Sequence, residues 1–380
     1  MKEVFINKTA TFFPNEPVPN SEMEVYLGQI NGKPSKSKNI VLRNNGIENR
    51  FYALDKEGKN THTNAQITAA AIRNLFAENP DEIREMDLLT AGTTSPDQMI
   101  PSHAVMVHGL LPETRNIEVT SNAGSCCSGM HAFKYAYMSV RTGEKKKAVC
   151  AGSERLSAVM KAELFEEEAK HLESLNENPY VSFEKDFLRW MLSDGAGAFL
   201  LEDHPNPSGV SLKVKWIDLF SFANQIETCM YMASDKMADG SLKSYLHYSP
   251  NELMQHSVLS LKQDVKLLSA NIVELGFNGM KDILDKHHFS VDRIDYFLPH
   301  ISSYFFKPKI YETLEKNGIT IPYEKWFTNL KTKGNVGAGS IYIMLDELLK
   351  SGQLKSGDNI LLVIPESARF SYAFSLLTVV

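Results

Sequence analysis

Met86-Asp87-Leu88-Leu89-Thr90-Ala91-Gly92-Thr93-Thr94-Ser95 and Ile294-Asp295-Tyr296-Phe297-Leu298-Pro299-His300-Ile301-Ser302-Ser303 read as two copies of one phrase, 208 residues apart (295 − 87). Each is a short apolar run with Asp at its second position and small or polar residues at its end, the pattern of a buried strand opening into a loop. A second pair follows in the same order. Val149-Cys-Ala-Gly-Ser-Glu-Arg-Leu-Ser157 echoes Val363-Ile-Pro-Glu-Ser-Ala-Arg-Phe-Ser371, with Ser153/Ser367, Arg155/Arg369 and Ser157/Ser371 at an offset of 214 (367 − 153). Two ordered pairs at nearly one offset indicate a duplicated chain.

The copies share a grammar between these anchors. A Gly/Ser-rich turn (122–129; 334–340) leads into an amphipathic run (131–141; 341–350), then a glycine break and an apolar strand. A helical stretch precedes each first anchor, at 64–78 and 253–286. Alternating strand and helix predicts an α/β fold: two pseudo-symmetric halves, each a sheet with helices between and outside. The breaker cluster His204-Pro-Asn-Pro-Ser-Gly209 places the junction. The halves are then 1–205 and 206–380, with an insertion at 158–190 that is either a lid or a surface excursion. Within it, 176–179 reads as a turn.

The 380 residues carry 43% hydrophobic and 23% charged side chains, enough for two cores of ordinary composition. A net charge of −6 gives no field that would draw the chain to nucleic acid or an anionic membrane. No apolar run spans a bilayer, and the first residues read as no secretion signal. The four cysteines (126, 127, 150, 229) fit neither a zinc nor a disulfide spacing, which predicts a reducing, cytoplasmic setting.

Three residues stand out as chemistry. Cys127, in Ser121-Asn-Ala-Gly-Ser-Cys-Cys-Ser-Gly-Met130, opens a predicted helix whose free N–H groups and dipole would favour a thiolate. The other reading is a pair of small buried hydrophobes, Cys126 and Cys127. His300 ends an apolar strand, where α/β proteins gather their active sites. Asn335 lies in Lys333-Gly-Asn-Val-Gly-Ala-Gly-Ser340, the second copy of the glycine turn. Pseudo-symmetry would bring thiol, imidazole and amide to one point between the halves. Taken singly, His300 could be a satisfied core histidine and Asn335 a turn former.

At these positions the chain resembles the β-ketoacyl-ACP synthase III branch of the thiolase superfamily. The resemblance runs through Arg43-Asn-Asn-Gly-Ile-Glu-Asn-Arg50, Ala91-Gly-Thr-Thr-Ser95, Pro101-Ser102, Cys127-Ser-Gly, Asp194-Gly-Ala-Gly-Ala198, Pro299-His300 and Gly334-Asn335. It implies the five-layer αβαβα thiolase fold, a homodimer, and a catalytic set of Cys127, His300 and Asn335. Cys127 would carry an acyl thioester. His300 and Asn335 would hold the enolate of a malonyl- or β-ketoacyl-type donor. The acyl oxyanion would sit on the N–H of Cys127 and one from the 366–370 loop. Coenzyme A and acyl carrier protein would be the thioester carriers, with no metal or cofactor. The chain departs from the family where His300-Ile-Ser-Ser303 and Ser367-Ala-Arg-Phe370 replace His-Gln-Ala-Asn and Gly-Gly-Gly-Phe. Ser303, Ser367, Ala368 and Arg369 are therefore candidate pocket residues, Arg369 being either a carboxylate partner or structural. With the insertion, these departures favour a specialised ketosynthase of the dialkylresorcinol, cyclohexanedione-forming type over a fatty-acid initiator. Acyl transfer without decarboxylation is the competing enzymatic reading, and a non-catalytic binding subunit is a more distant one.

Overall fold

The computed structural model describes residues 1–175 and 182–380, so the turn expected at 176–179 lies outside the described residues. Nine strands build the main sheet. They are β1 (Phe5–Phe12), β2 (Leu88–Thr93), β3 (Glu118–Ala123), β4 (Lys147–Glu154), β5 (Gly195–Glu202), β6 (Leu212–Ser221), β7 (Tyr296–Pro299), β8 (Asn359–Glu366) and β9 (Ser371–Val379). Their order is β7-β8-β9-β6-β1-β5-β4-β2-β3. At the centre only Phe5 and Ile6 of β1 pair with β6, through Lys213 and Leu212, so two half-sheets meet at a short joint.

The halves repeat one pairing scheme. β2 runs parallel to β4, and β4 antiparallel to β5; β7 runs parallel to β8, and β8 antiparallel to β9. The edge strand β3 has as its counterpart a single parallel bridge, Phe297 to Trp326. The anchoring aspartates have a physical role. Asp87 accepts from the Lys146 and Lys147 N–H groups (2.8 and 3.2 Å), and Asp295 accepts from Asn359 N–H (2.8 Å). Each carboxylate ties down the first amides of the neighbouring strand, which sets that strand's register.

That register corrects the second anchor. Leu88 pairs with Ala148 and Tyr296 with Ile360, so the neighbouring strands correspond at an offset of 212 (360 − 148). Glu154 is thus the counterpart of Glu366, and the Ser153/Ser367 match is two residues out of step. Matching side-chain types across the strand ends had aligned dissimilar loops.

The helices that pack on this sheet complete the layers: α1 (Asn64–Leu75), α2 (His103–Gly109), α3 (Ser128–Thr142), α4 (Val265–Lys286), α5 (Phe306–Lys316) and α6 (Ser340–Lys350). α1 begins with a reciprocal capping box, Thr63 with Gln66, and α4 with the Asp264 carboxylate on Leu267 N–H. The helical stretch expected from 253 is broken, because Lys262 and Gln263 pair with Tyr231 and Met230 before α4 starts.

Strand alternation sorts the core. Ala148 and Cys150 of β4 face a central cluster with Ile360, Leu362 and Ile364 of β8, and that cluster holds α3 and α6. Val149 and Ala151 face α1 and α2 on one outside; Leu361 and Val363 face α4 and α5 on the other. The stack is αβαβα. The layers meet closely where α6 begins: a Cβ on Gly129 or Gly152 would lie 2.4 or 2.2 Å from the Ala338 carbonyl oxygen. Only glycine lets α3 and β4 approach the start of α6 this closely. Among the described residues no helix is long and apolar enough to cross a membrane.

Candidate active site

Strand ends and helix starts converge where the halves meet. His300 directly follows β7, its backbone N–H held by Val363 O at 2.8 Å and its side chain buried. Burial lowers the imidazole's pKa to about 4, so the ring is neutral at neutral pH and carries one N–H donor. Asn335 is fixed on three sides. Its backbone takes Ser193 N–H (2.9 Å) and reaches Met191 O (3.3 Å), while its Oδ1 accepts from Gly337 N–H (3.0 Å). Among the described residues none accepts from the Asn335 Nδ2 amide, which leaves its hydrogens to donate to a bound group.

The motif residues around these two have structural work. Arg50 and Asn45 both donate to the Trp190 carbonyl (3.0 and 2.9 Å). Asp194 accepts from Ala53 N–H (2.7 Å) and from Ser157 N–H (2.9 Å). Ser193 accepts from Phe51 N–H (2.9 Å). Together they hold the 190–194 segment against the Asn335 turn.

A cleft opens at this meeting point. Ser125, Cys126, Thr94, His300, Asn335 and Ser367 line its polar end. Beyond them the walls are apolar. Leu156, Leu188 and Leu192 come from the insertion and the residues on either side of it; Leu268, Ile272, Phe277 and Met280 come from α4, and Phe306, Ile310 and Leu314 from α5. The insertion is therefore more than a surface excursion. It buries Phe165 and Trp190, supplies Leu188 to the wall, and is anchored to the rest of the chain by buried Arg189, which donates to Gly28 O (3.1 Å).

The two adjacent thiols part company here. Cys126 lines the cleft, whereas Cys127, 1% exposed, turns its Sγ to Ile364 O at 3.4 Å in the central core. Burial, the Glu366 carboxylate and Cys126 push the Cys127 thiol well up; burial and Glu366 push Cys126 up to about 12. The expected resting thiolate is thus corrected: the helix start does face Cys127, but an apolar setting and a carboxylate outweigh it.

The expected oxyanion hole also changes. Cys127 N–H is occupied by Glu366 Oε2 at 2.9 Å, which also accepts from Ser125 N–H at 3.2 Å. Of the candidate pocket residues, Ser367 is on the wall, its Oγ accepting from Gln263 Nε2 (2.9 Å). Ala368, Arg369 and Ser303 are not. The Ala368 carbonyl accepts from Cys229 and Met230, Arg369 Nε donates to Ile226 O from an exposed position, and Ser303 Oγ reaches Asn44 O and accepts from Phe305 N–H near the start of α5. The loop turns instead through Phe370, at φ 57 with its ring fully buried. Glu366 and Cys126 are the site residues that the sequence reading missed. Pairing Glu154 with Glu366 at the strand offset would have found the first.

Comparison with known proteins finds condensing enzymes of the same fold. A sequence model of the 3-oxoacyl-[acyl-carrier-protein] synthase III C-terminal domain matches residues 284–364, and one of the β-ketoacyl synthase N-terminal domain matches 42–206. A β-ketoacyl-[acyl-carrier-protein] synthase III of Clostridium perfringens is 26% identical over 357 residues, covering 93% of this chain and 92% of that protein. Among solved structures, AbyA1, a tetronic acid condensing enzyme, superposes with a TM-score of 0.75 at 18% identity, covering 99% of each chain. A cysteine-to-serine variant of OleA from Xanthomonas campestris, solved with lauric acid and lauroyl-CoA, does so with a TM-score of 0.73 at 17% identity, again over 99% of each chain.

Proposed function

We propose a specific reaction for this chain, which belongs to the β-ketoacyl-[acyl-carrier-protein] synthase III family of the thiolase superfamily and is an acyl-transferring condensing enzyme. Cys127, from the half spanning 1–205, accepts a medium or long acyl group from coenzyme A or acyl carrier protein. His300 and Asn335, from the half spanning 206–380, then hold the enolate of a malonyl- or β-ketoacyl-thioester while it attacks the acyl-enzyme. The chemistry suits the groups. A neutral imidazole N–H and a fixed amide donate to a developing oxyanion without titrating. No metal or redox group takes part, since the carrier thiol is the only leaving group besides CO2.

The observation that carries the substrate reading is the apolar lining of the cleft, which runs from His300 and Asn335 to the leucine, isoleucine and phenylalanine side chains of α4 and α5. The OleA relative solved with lauric acid and lauroyl-CoA is in keeping with it. A specialised lipid-forming role of the dialkylresorcinol type follows better than fatty-acid initiation. Kinetics with acetyl-CoA and medium-chain acyl donors, each against malonyl and β-ketoacyl partners, test this. Medium-chain donors are expected to give the highest kcat/KM, with labelled CO2 released from malonyl. Preference for acetyl-CoA with malonyl-carrier protein would overturn the specialised role, and acyl transfer without CO2 would overturn condensation from a malonyl donor.

One observation favours a second assignment of the nucleophile: Cys126, not Cys127, lines the cleft. Cys127 is preferred because it sits at the start of α3 in the Cys-Ser-Gly motif, with Gly129 against Ala338 fixing that register. A rotation about its Cα–Cβ bond would swing the thiol out of the core. A cytoplasmic homodimer belongs to the same reading. The half-exposed edge strand β3 and the exposed Met99 and Ile100 support the pairing, which sedimentation at micromolar concentration reads.

A further inference from the structure

Every route to an acyl-Cys127 needs a base, and the resting site supplies few. Cys127 is a protonated, buried thiol, and among the described residues no histidine or lysine hydrogen-bonds either cysteine. What does touch the nucleophile's residue is a carboxylate. Glu366, the last residue of β8, is buried and puts one oxygen on the N–H groups of Cys127 and Ser125. Those amides are the donors at the helix start that an acyl oxyanion at Cys127 would require. A carboxylate resting there is near enough to raise the thiol's pKa and occupies the amides that the substrate oxygen needs.

The equivalent glutamate in the other half shows that the arrangement is not a mere cap. Glu154 ends β4 and reaches across to the start of α6 by accepting from Ala338 N–H (3.1 Å). Its two oxygens are also taken by Thr94 N–H (3.1 and 3.2 Å), Thr94 Oγ (2.6 Å) and Ser95 Oγ (2.6 Å). Glu154 is immobilised by side-chain hydroxyls. Glu366 has two backbone amides on one oxygen and no side-chain donor among the described residues, so it can change protonation and move.

We propose that Glu366 is the base that takes the Cys127 proton and, on taking it, releases the two backbone donors that hold the thioester oxyanion. The S–H bond breaks and an O–H bond forms on Glu366, whose neutral carboxyl accepts more weakly from Cys127 N–H and Ser125 N–H. The thiolate attacks the acyl carbon, and the carbonyl oxygen takes the vacated amides. Collapse breaks the C–S bond to the carrier, and the departing carrier thiolate takes the proton back from Glu366. The carboxylate is restored and no further reactant is needed. Burial, which holds Glu366 above the usual carboxylate range, narrows its gap to the thiol. The titratable groups around it are Cys126 and Cys127 at the helix start, Glu154 across Cys126, and Tyr372 of β9 toward the Cys127 thiol.

The proposal rests on Cys127 as nucleophile, and its test keeps the two apart. Single-turnover acylation by lauroyl-CoA is followed by intact mass from pH 5 to 9 in the wild type, Glu366→Gln and Cys127→Ala. Glutamine can still accept from both amides, and thermal melting confirms its fold. Glu366→Gln is expected to acylate ~10²-fold or more slowly at neutral pH, within the range of a lost general base, and to recover as rising pH ionises the thiol unaided. The wild-type rate should fall as acid protonates Glu366. A Glu366→Gln protein with the wild-type rate and pH profile, while Cys127→Ala is inert, would overturn the role of Glu366 alone. An acylated Cys127→Ala would overturn the nucleophile instead. Should Glu366→Gln fail to fold, alkylation of wild-type Cys127 by iodoacetamide decides. An inflection below the thiol range supports the base, and reactivity rising only at alkaline pH overturns it.

Discussion

The two copies of one strand–turn–helix unit meet the same geometric demand and end in different chemistry. In each, a glutamate at the end of a strand reaches the helix start of the opposite half: Glu154 to Ala338, Glu366 to Cys127. The first is locked by Thr94 and Ser95; the second, among the described residues, accepts from backbone amides alone. At the ends of the neighbouring strands the contrast is reversed. His300 of the second copy stands where the first copy has Gly92 (300 − 208), and a Cβ on Gly92 would meet the Ser128 carbonyl carbon at 2.2 Å. The first half gives up a side chain there so that α3 can approach with its cysteine, and the second half spends the same position on an imidazole. Duplication builds the scaffold symmetrically, and catalysis uses the places where the symmetry is broken.

Restoring that symmetry at His300 has the larger expected effect. His300→Ala removes a preorganised donor to the enolate oxygen, so condensation should fall by ~10²–10³ while self-acylation falls less. Separate assays of acyl-enzyme formation and of product formation measure the split. Equal loss in both would make His300 chiefly a base for the thiol. Because burial holds His300 near 4, the ring stays neutral above that pH, and the condensation step should show no inflection between pH 6 and 7 from this residue.

A smaller effect is expected where the copies touch. Gly152→Ala would place a methyl 2.2 Å from the Ala338 carbonyl, forcing the start of α6 and the Asn335 turn away from β4. Overpacking of this kind costs about 1–3 kcal/mol, which denaturant unfolding would register as a lower midpoint. The same variant should lose condensation activity beyond its loss of stability, since the Asn335 amide is held by that turn. Unchanged stability would mean that the contact is less constrained than its geometry indicates.

Much of this was legible in the chain itself. Asp87 and Asp295 gave away the duplication because each has a fixed task, binding the first amides of the next strand. His300 and Asn335 could be placed because strand ends and glycine turns leave clear local signatures. The rest depended on register and rotamer, which local patterns do not encode. An offset two residues out hid the equivalence of Glu154 and Glu366. The helix-start argument for Cys127 could not register that its thiol turns into an apolar core beside a carboxylate. Arg369, Ala368 and Ser303 resembled pocket residues because they sit beside pocket residues in sequence. Their side chains or carbonyls are taken up by neighbouring backbone instead.

The central claim is that one of two adjacent thiols, Cys127, carries the acyl group between the two halves of the reaction. Incubation with lauroyl-CoA followed by intact-mass and peptide-level measurement tests it most directly, on the wild type, Cys126→Ala and Cys127→Ala. The wild type and Cys126→Ala should each gain one lauroyl group, mapped in the wild type to Cys127, and Cys127→Ala should gain none. A lauroyl adduct on Cys127→Ala, with none on Cys126→Ala, would contradict the account and give the chemistry to the thiol that already lines the cleft.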